Sequence, residues 1–424
     1  MKKLIYKVLT FTLALLIYNL TFNIENCKSQ WVQMPNGMGT GQYVFSLTTL
    51  GNNIFAGTLD SGVYISTNNG ATWAQTGLNN RTVYSFAILG NNIFAGIEMD
   101  SLGSGGVYIS TNNGTSWVQT SLINQTIWSF AILGNNIFAG TYSSGSYTGS
   151  VFLSTNNGTN WTQTTLSRVI YSLVAFENNI FAGTASWGVY RSANYGTNWT
   201  QMGFNYLHVY SLATMGNYIF AGLLQYGVYL STNNGLNWIQ TNMTDKDIRT
   251  LVTFGNNIFA GTSNYGVFFS SNNGTTWIEK NQGFNTISTV RALLITNGYV
   301  FAGTANQSIW RRSYDETIGV KNISTEIPNK YNLEQNYPNP FNPITIIKFD
   351  IPDLNSPLRR GAGGMMVLKV YDILGKEIET LVNEKLSPGT YEVTFNGSNY
   401  SSGIYFYKLT TDSFNETKRM LMIK

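Results

Sequence analysis

The sequence predicts an all-β protein, a seven-bladed β-propeller followed by a small Ig-like β-sandwich. Three observations predict it. An eight-residue phrase, Ser-x-Asn-x-Gly-x-x-Trp, occurs six times, at residues 66–73, 110–117, 154–161, 192–199, 231–238 and 270–277. A second phrase, in its commonest form Asn-Asn-Ile-Phe-Ala-Gly, occurs seven times, beginning at residues 52, 91, 135, 178, 217, 256 and 297. Beyond residue 313 both phrases stop, and a different strand-rich pattern begins.

Each repeat reads as four short strands. In the second unit an apolar run at 83–89 meets the turn sequence Gly90-Asn91-Asn92. A second apolar run, a loop of variable length and a third run, 106–110, come next. The Asn-Gly turn then leads into Trp117 and the outer strand. β-rich runs bounded by turn residues are strands, and four-stranded units with a period of about forty residues are propeller blades. Seven inner strands face only six turn-plus-Trp phrases, because the seventh unit stops near Ser313. Trp31-Val32-Gln33 matches Trp117-Val118-Gln119 and is expected to supply the missing outer strand. That pairing covers two edges that would otherwise stay open. The propeller is thus expected over residues 30–315.

The first 29 residues differ from the rest. A basic start (Lys2, Lys3, Lys7) precedes a mostly apolar run at 8–22, and Cys27-Lys28-Ser29 offers small residues before a cut at Gln30. This reads as a secretory signal peptide over 1–29. The apolar run falls short of the ~20 residues that a membrane span needs, and Asn19 interrupts it. Ile24-Glu25-Asn26 makes Cys27 a poor lipid-anchor site. A cut after Ser29 removes the single cysteine, so the mature chain has neither disulfide nor thiol chemistry. No later transmembrane segment is expected.

Composition narrows the function. Across 424 residues only 11 % are charged and the net charge is +4, with no long basic run. Nucleic-acid binding therefore has little electrostatic support. His208 is the only histidine, which leaves almost no material for a His-based triad or a multi-histidine metal site. The Gly-rich stretch 103–106 lacks the lysine and helix of a phosphate loop. No cofactor and no metal are implied.

In the repeated turn, Ser and Asn side chains can bond backbone groups, Gly can take a positive φ, and Trp can wedge between blades. The residues are Asn68 and Trp73, Asn112 and Trp117, Asn156 and Trp161, Asn194 and Trp199, Asn233 and Trp238, Asn272 and Trp277. The motif resembles the Asp-box, or BNR repeat, of sialidases, sortilin-type receptors and some xyloglucan hydrolases, with Asn in place of the usual Asp. In those families the box lies on the face away from the active site, so the resemblance implies a structural role here.

Turn order puts the repeated turns on one face and the variable loops on the other, where function usually resides. At the start of each inner strand the equivalent position holds Phe45, Tyr84, Trp128, Tyr171, Tyr210, Arg249 and Arg291. These seven are expected to rim the central opening and to contact a glycan or a protein ligand, with Tyr142, Tyr147, Trp187, Tyr226 and Tyr265 extending the surface. The competing reading is that they only pack blade against blade. Glycosidases usually need two carboxyl groups at a set separation. Asp60, Glu98, Asp100, Asp245 and Asp247 are the candidates on this face, and they share no repeated pattern. An Arg-Ile-Pro phrase and an arginine triad, which would carry a resemblance to sialidases, are missing: Arg249 and Arg291 are two, and Arg81 and Arg168 begin other strands early. His208 is expected to be a satisfied surface or inter-blade residue.

Residues 316–330 read as a linker, and 331–424 as a β-sandwich with runs at 345–349, 367–371, 389–395 and 403–409. This stretch resembles the type A sorting domain of the type IX secretion system of Bacteroidetes-like bacteria. The residues that carry the resemblance are Tyr337-Pro338-Asn339-Pro340-Phe341-Asn342-Pro343, Tyr371-Asp372-Ile373-Leu374-Gly375-Lys376, Pro388-Gly389-Thr390-Tyr391, Ser402-Gly403-Ile404-Tyr405-Phe406 and the basic end at Lys424. It implies export across the outer membrane by the type IX machinery, then release or attachment at the surface. The insert 354–366 departs from that family and is expected to be a loop without a role.

The sequence thus favours a secreted or surface binding propeller. A divergent glycoside hydrolase is the alternative. A structural adhesin or assembly factor is a second one, since photosystem-assembly propellers carry similar repeats.

Overall fold

The computed structural model describes residues 30–100, 103–143, 147–324, 326–353, 365–386 and 388–424. The expected signal peptide, 1–29, and most of the insert, 354–364, lie outside the described residues. Nine four-stranded antiparallel sheets make up the described chain, seven of them between residues 32 and 313. Consecutive inner strands pack side by side, and Val44–Leu50 of the first blade packs on Val290–Thr296 of the seventh. The seven sheets therefore close into a β-propeller.

The second repeated phrase is the structural centre of each blade. In Asn53–Thr58 and its six counterparts the Ile-Phe-Ala core (Val300-Phe301-Ala302 in the last blade) is fully buried on both faces. Such a strand has no solvent side, so its apolar residues run consecutively rather than alternate. The closing glycine is there for close approach. A Cβ on Gly57 would sit 2.4 Å from Ser46 Oγ and 2.7 Å from the carbonyl oxygen of Val83 in the next blade.

The Ser-x-Asn-x-Gly turn is a closed hydrogen-bond unit. Ser66 Oγ donates to Asn68 Oδ1 at 3.0 Å and accepts from the Gly70 amide at 2.8 Å. Asn68 Oδ1 also accepts from the Thr72 amide at 2.9 Å. The same three bonds recur in all six copies, as in 110–116 and 270–276. Two consecutive residues, Asn69 and Gly70, hold positive φ, so the second Asn of the phrase matters as well as the glycine. An Asp oxygen would accept the same amides. The amide of Asn adds a donor, which reaches the Thr72, Ser116 and Thr276 hydroxyls in three copies. The tryptophans do pack between blades, but only Trp73 is fully buried; the other five are half-buried.

Closure comes from the N-terminus. Val32–Gln33 pairs antiparallel with Ile309–Ser313, Val32 opposite Arg311 and Gln33 opposite Trp310. Trp31 is 2 % exposed and stacks on Phe284 at 5.0 Å; Phe284 in turn meets Trp310 edge-on at 5.1 Å.

The expected linker needs correction. Tyr314–Ile318 forms one helical turn, and Val320–Ser324 is a strand that pairs with Gly389–Asn396 of the C-terminal sandwich. Its burial alternates along the strand, but only Val320 is fully buried and the sequence Val-Lys-Asn-Ile-Ser is mostly polar, which hid it. The sandwich packs two four-stranded sheets around Phe349, Tyr391, Phe395, Tyr407 and Met420. The insert also needs correction at its end: Met366 is fully buried in the strand Met365–Tyr371.

Candidate functional site

Every inner strand carries the same irregularity. Pairing with the second strand skips one residue between Val44 and Ser46, and likewise in the other six blades. The skipped residues are Phe45, Tyr84, Trp128, Tyr171, Tyr210, Arg249 and Arg291. A β-bulge leaves its extra residue unpaired and re-aims its side chain. Here the seven bulge residues, with Tyr142, line one cavity of about 250 Å3 on the propeller axis. The structure thus brings together all seven expected rim positions, each half-buried.

The rings do not stand as separate platforms. Tyr84 and Trp128 stack at 4.7 Å, and Tyr171 and Tyr210 at 4.6 Å. Phe45 meets Tyr84, and Trp128 meets Tyr171, at steeper angles. The guanidinium of Arg249 covers Tyr210 at 4.5 Å, and that of Arg291 covers Phe45 at 5.2 Å. Ring faces are therefore spent largely on each other and on the two arginines.

The polar groups of this cavity are unevenly satisfied. Arg249 Nε donates to Ser263 Oγ at 2.6 Å, and Asp247 lies 3.9 Å from its guanidinium. Arg291 Nε is buried without a hydrogen-bond partner, and Trp128 Nε1 likewise. Burial, and then the neighbouring Arg249, push the Arg291 pKa down. Burial, and then Tyr210 and Tyr142, push Tyr171 up to about 12. Tyr84 is raised by burial and then by Glu98, whose carboxylate accepts its hydroxyl at 3.0 Å. Both hydroxyls are neutral near pH 7.

A second cavity of about 550 Å3 adjoins the first and shares Tyr142 and Tyr171 with it. Tyr147, Arg168, Trp187 and His208 complete its main walls. Arg168 lies over Trp187 at 4.4 Å, with its Nε buried and unpartnered. His208, expected to be satisfied, contacts Ser186 Oγ through Nε2 at 3.3 Å, but its Nδ1 is buried without a partner. Tyr226 and Tyr265 line neither cavity; Lys246 lies over Tyr265 at 3.8 Å.

The candidate carboxylates have partners of their own. Asp60 accepts from Thr82 at 3.0 Å, and Asp100 pairs with Arg81 at 3.1 Å. Asp245 is the acceptor of the Thr244 hydroxyl, and Asp247 accepts the Gln225 amide at 2.9 Å. Among the described residues no carboxylate lines either cavity. Among the described residues no cluster of metal-ligating side chains is found, and no helix is long and apolar enough to cross a membrane.

In the tail, the motif residues hold the two ends of the sandwich together. The Asn336 amide and the Thr345 hydroxyl donate to the Pro338 carbonyl at 3.0 and 2.8 Å. Asn339 Oδ1 accepts the Leu421 amide at 2.9 Å, and next to Pro340 Phe341 bonds to Leu421 and Ile423 through its backbone. Tyr405 is buried and donates to the Ser401 carbonyl at 2.6 Å, beside Gly403 at the start of Gly403–Thr410. Lys424 Nζ reaches the Ser398 carbonyl at 2.7 Å.

Residues 335–424 match the family described as the secretion system C-terminal sorting domain. This tail implies an encounter with the type IX secretion machinery and secretion or cell-surface attachment in Bacteroidetes-type bacteria. No curated protein matches the chain. Among solved structures, YCF48 from Cyanidioschyzon merolae has a TM-score of 0.53 at 12 % identity, over 68 % of this chain and 99 % of that one. YCF48 bound to D1 peptide gives 0.52 at 15 %, over 68 % and 95 %. An ancestral GH74 enzyme gives 0.54 at 20 %, over 92 % of this chain and 63 % of its own length. At these identities the likeness is one of propeller fold.

Proposed function

We propose that the protein is a binding propeller, exported as type IX cargo, whose ligand is a glycan or a protein held on the variable face. One observation carries this reading: seven bulges aim one residue from each blade into a single axial cavity. Arg291 Nε, a buried donor on a cation, is left without a partner beside the opening, which blade packing alone does not explain. In this reading the Asn-Gly turns act as Asp-box-like staples of the opposite face, residues 1–29 are a cleaved signal peptide, 30–315 are the binding unit and 331–424, extended by Val320–Ser324, the sorting domain. The same fold carries a peptide in YCF48 bound to D1 peptide, which supports binding as a use of this architecture. Among the described residues the hydrolase reading finds no carboxylate in either cavity.

The test is a combined glycan and peptide array probed with the full chain and with Trp128→Ala and Tyr171→Ala. Hits that both variants lose support the reading. Hits that survive in both place the ligand elsewhere and reject it; an array without hits favours the adhesin or assembly role.

A further inference from the structure

We infer that the axial and lateral cavities form one site for an acidic saccharide chain, with one acid group held by Arg249 and Arg291 and a second by Arg168. The inference rests on the binding reading above and specifies the ligand class. Three observations lead to it. First, both buried guanidinium nitrogens that lack a partner, Arg291 Nε and Arg168 Nε, belong to these two cavities, and among the described residues no carboxylate lines either one. Both side chains are half-buried, and Arg168 Nη1 donates to the Ser167 carbonyl at 2.7 Å; a cation so placed with no counter-charge in its cavity is disfavoured, and an incoming anion lowers that cost.

Second, the axial rings turn their faces to one another and to the arginines. With those faces taken, the edges are what the rings have left. Aromatic edges carry the positive end of the quadrupole, so they favour an anion over the apolar face of a neutral sugar. The axial cavity of about 250 Å3 has room for one acid-bearing residue of a chain rather than for a folded partner.

Third, the lateral cavity continues from the axial one across the shared Tyr142 and Tyr171 and offers a different surface. Tyr147 is 79 % exposed and Trp187 43 %, so these rings keep open area for a sugar. Among the described residues Val169 and Ala185 are its only aliphatic lining residues; the others are aromatic, hydroxylic or N–H-bearing. Protein partners also anchor on Trp, Tyr and Arg, but within a fully desolvated centre, which these exposed rings do not form. A hydroxyl-rich chain instead uses flat rings and dense donors, which is what this wall supplies.

The experiment is calorimetric titration of the full chain with three acidic probes: hexagalacturonate, hexamannuronate and a sulfated dextran oligomer. Fully methyl-esterified hexagalacturonate and hexaglutamate serve as the contrasting ligands. At least one acidic oligosaccharide is expected to bind, with the ester about tenfold weaker or worse. Arg291→Gln and Arg168→Gln, each checked for folding by thermal melting, should lower that affinity about tenfold each, the scale of one charge-assisted hydrogen bond. Raising the salt should weaken wild type more than either variant. Equal binding of acid and ester overturns acid recognition while leaving the binding reading in place. Binding of hexaglutamate alone overturns the saccharide. Wild-type affinity in Arg168→Gln overturns the two-cavity arrangement. Failure of all three acidic probes, where the array has found another ligand, overturns the inference alone; failure of probes and array together removes both.

Discussion

The two faces of this propeller are built from the same seven repeats under opposite rules. On the turn face, six copies of Ser-x-Asn-x-Gly-x-x-Trp make the same three hydrogen bonds with distances that agree within 0.1 Å, as between Ser66–Asn68 and Ser192–Asn194 at 3.0 and 3.1 Å. On the variable face, seven equivalent bulge positions hold five aromatic rings and two arginines, and their polar atoms are unequally satisfied. Arg249 has Ser263, whereas Arg291 Nε has no partner. The invariant turns and the candidate binding positions thus lie on different faces. Within the turn the Ser and Asn donors and acceptors are settled locally, although the Trp73 and Trp199 indole N–H groups that follow are buried without a partner. A position that varies around the axis need not settle its polar atoms, and it can keep binding potential unspent.

The strongest way to break this comparison is to remove one turn hydroxyl. Ser110→Ala leaves Asn112 Oδ1 short of a donor and strands the buried Gly114 amide. A loss of about 1–3 kcal/mol in urea unfolding is expected, and any array hit should persist. A cost near zero would mean that the turns are not staples.

The next effect probes buried charge on the variable side. Lys280 occupies the backbone site that Thr76, Thr164 and Thr241 occupy elsewhere, each amide bonding to the matching Val carbonyl. Burial, and then Arg312, lower its pKa from 10.5 to about 8. Between those values the unfolded chain binds more protons than the folded one. Stability therefore rises with pH across the window from about 8 to 10.5. Below pH 8 the penalty is fully present. The gain is on the order of 1–2 kcal/mol once partial solvent access is allowed for. Lys280→Met should remove this pH dependence; a chain whose stability stays flat in wild type over the same window would sink the assignment.

The smallest effect has the opposite sign from the first. Arg291→Met takes away a half-buried cation whose Nε has no partner, at the loss of one cation–π contact. The variant is expected to be unchanged or more stable, by about 0–1 kcal/mol. A destabilisation as large as that of Ser110→Ala would mean that the rim arginine is structural after all, and that the faces do not differ as described.

Local order made much of this legible in advance. The turn phrase could be read because its bonds span four residues, from Ser66 to Gly70 and from Asn68 to Thr72. The rim positions were found by alignment of the repeats, since equivalent residues in a ring must converge on its axis. The strand Val320–Ser324 escaped because its partner lies about seventy residues away and its own pattern is polar. The lateral cavity escaped for a similar reason. Its walls come from three blades, and no repeat marks Arg168, Trp187 and His208 as neighbours.

By itself, then, the amino-acid order determined the blade, its turn chemistry, the count of inner strands and the sorting tail, all of which depend on contacts between near neighbours or on a motif read directly. Only the tertiary structure decided that a bulge turns the seven rim residues inward, that their rings stack on each other, and that two guanidiniums are left with unpartnered nitrogens in adjoining cavities. Those outcomes depend on which side chains from separate blades compete for the same space and the same hydrogen-bond partners, and that competition begins only once the ring has closed.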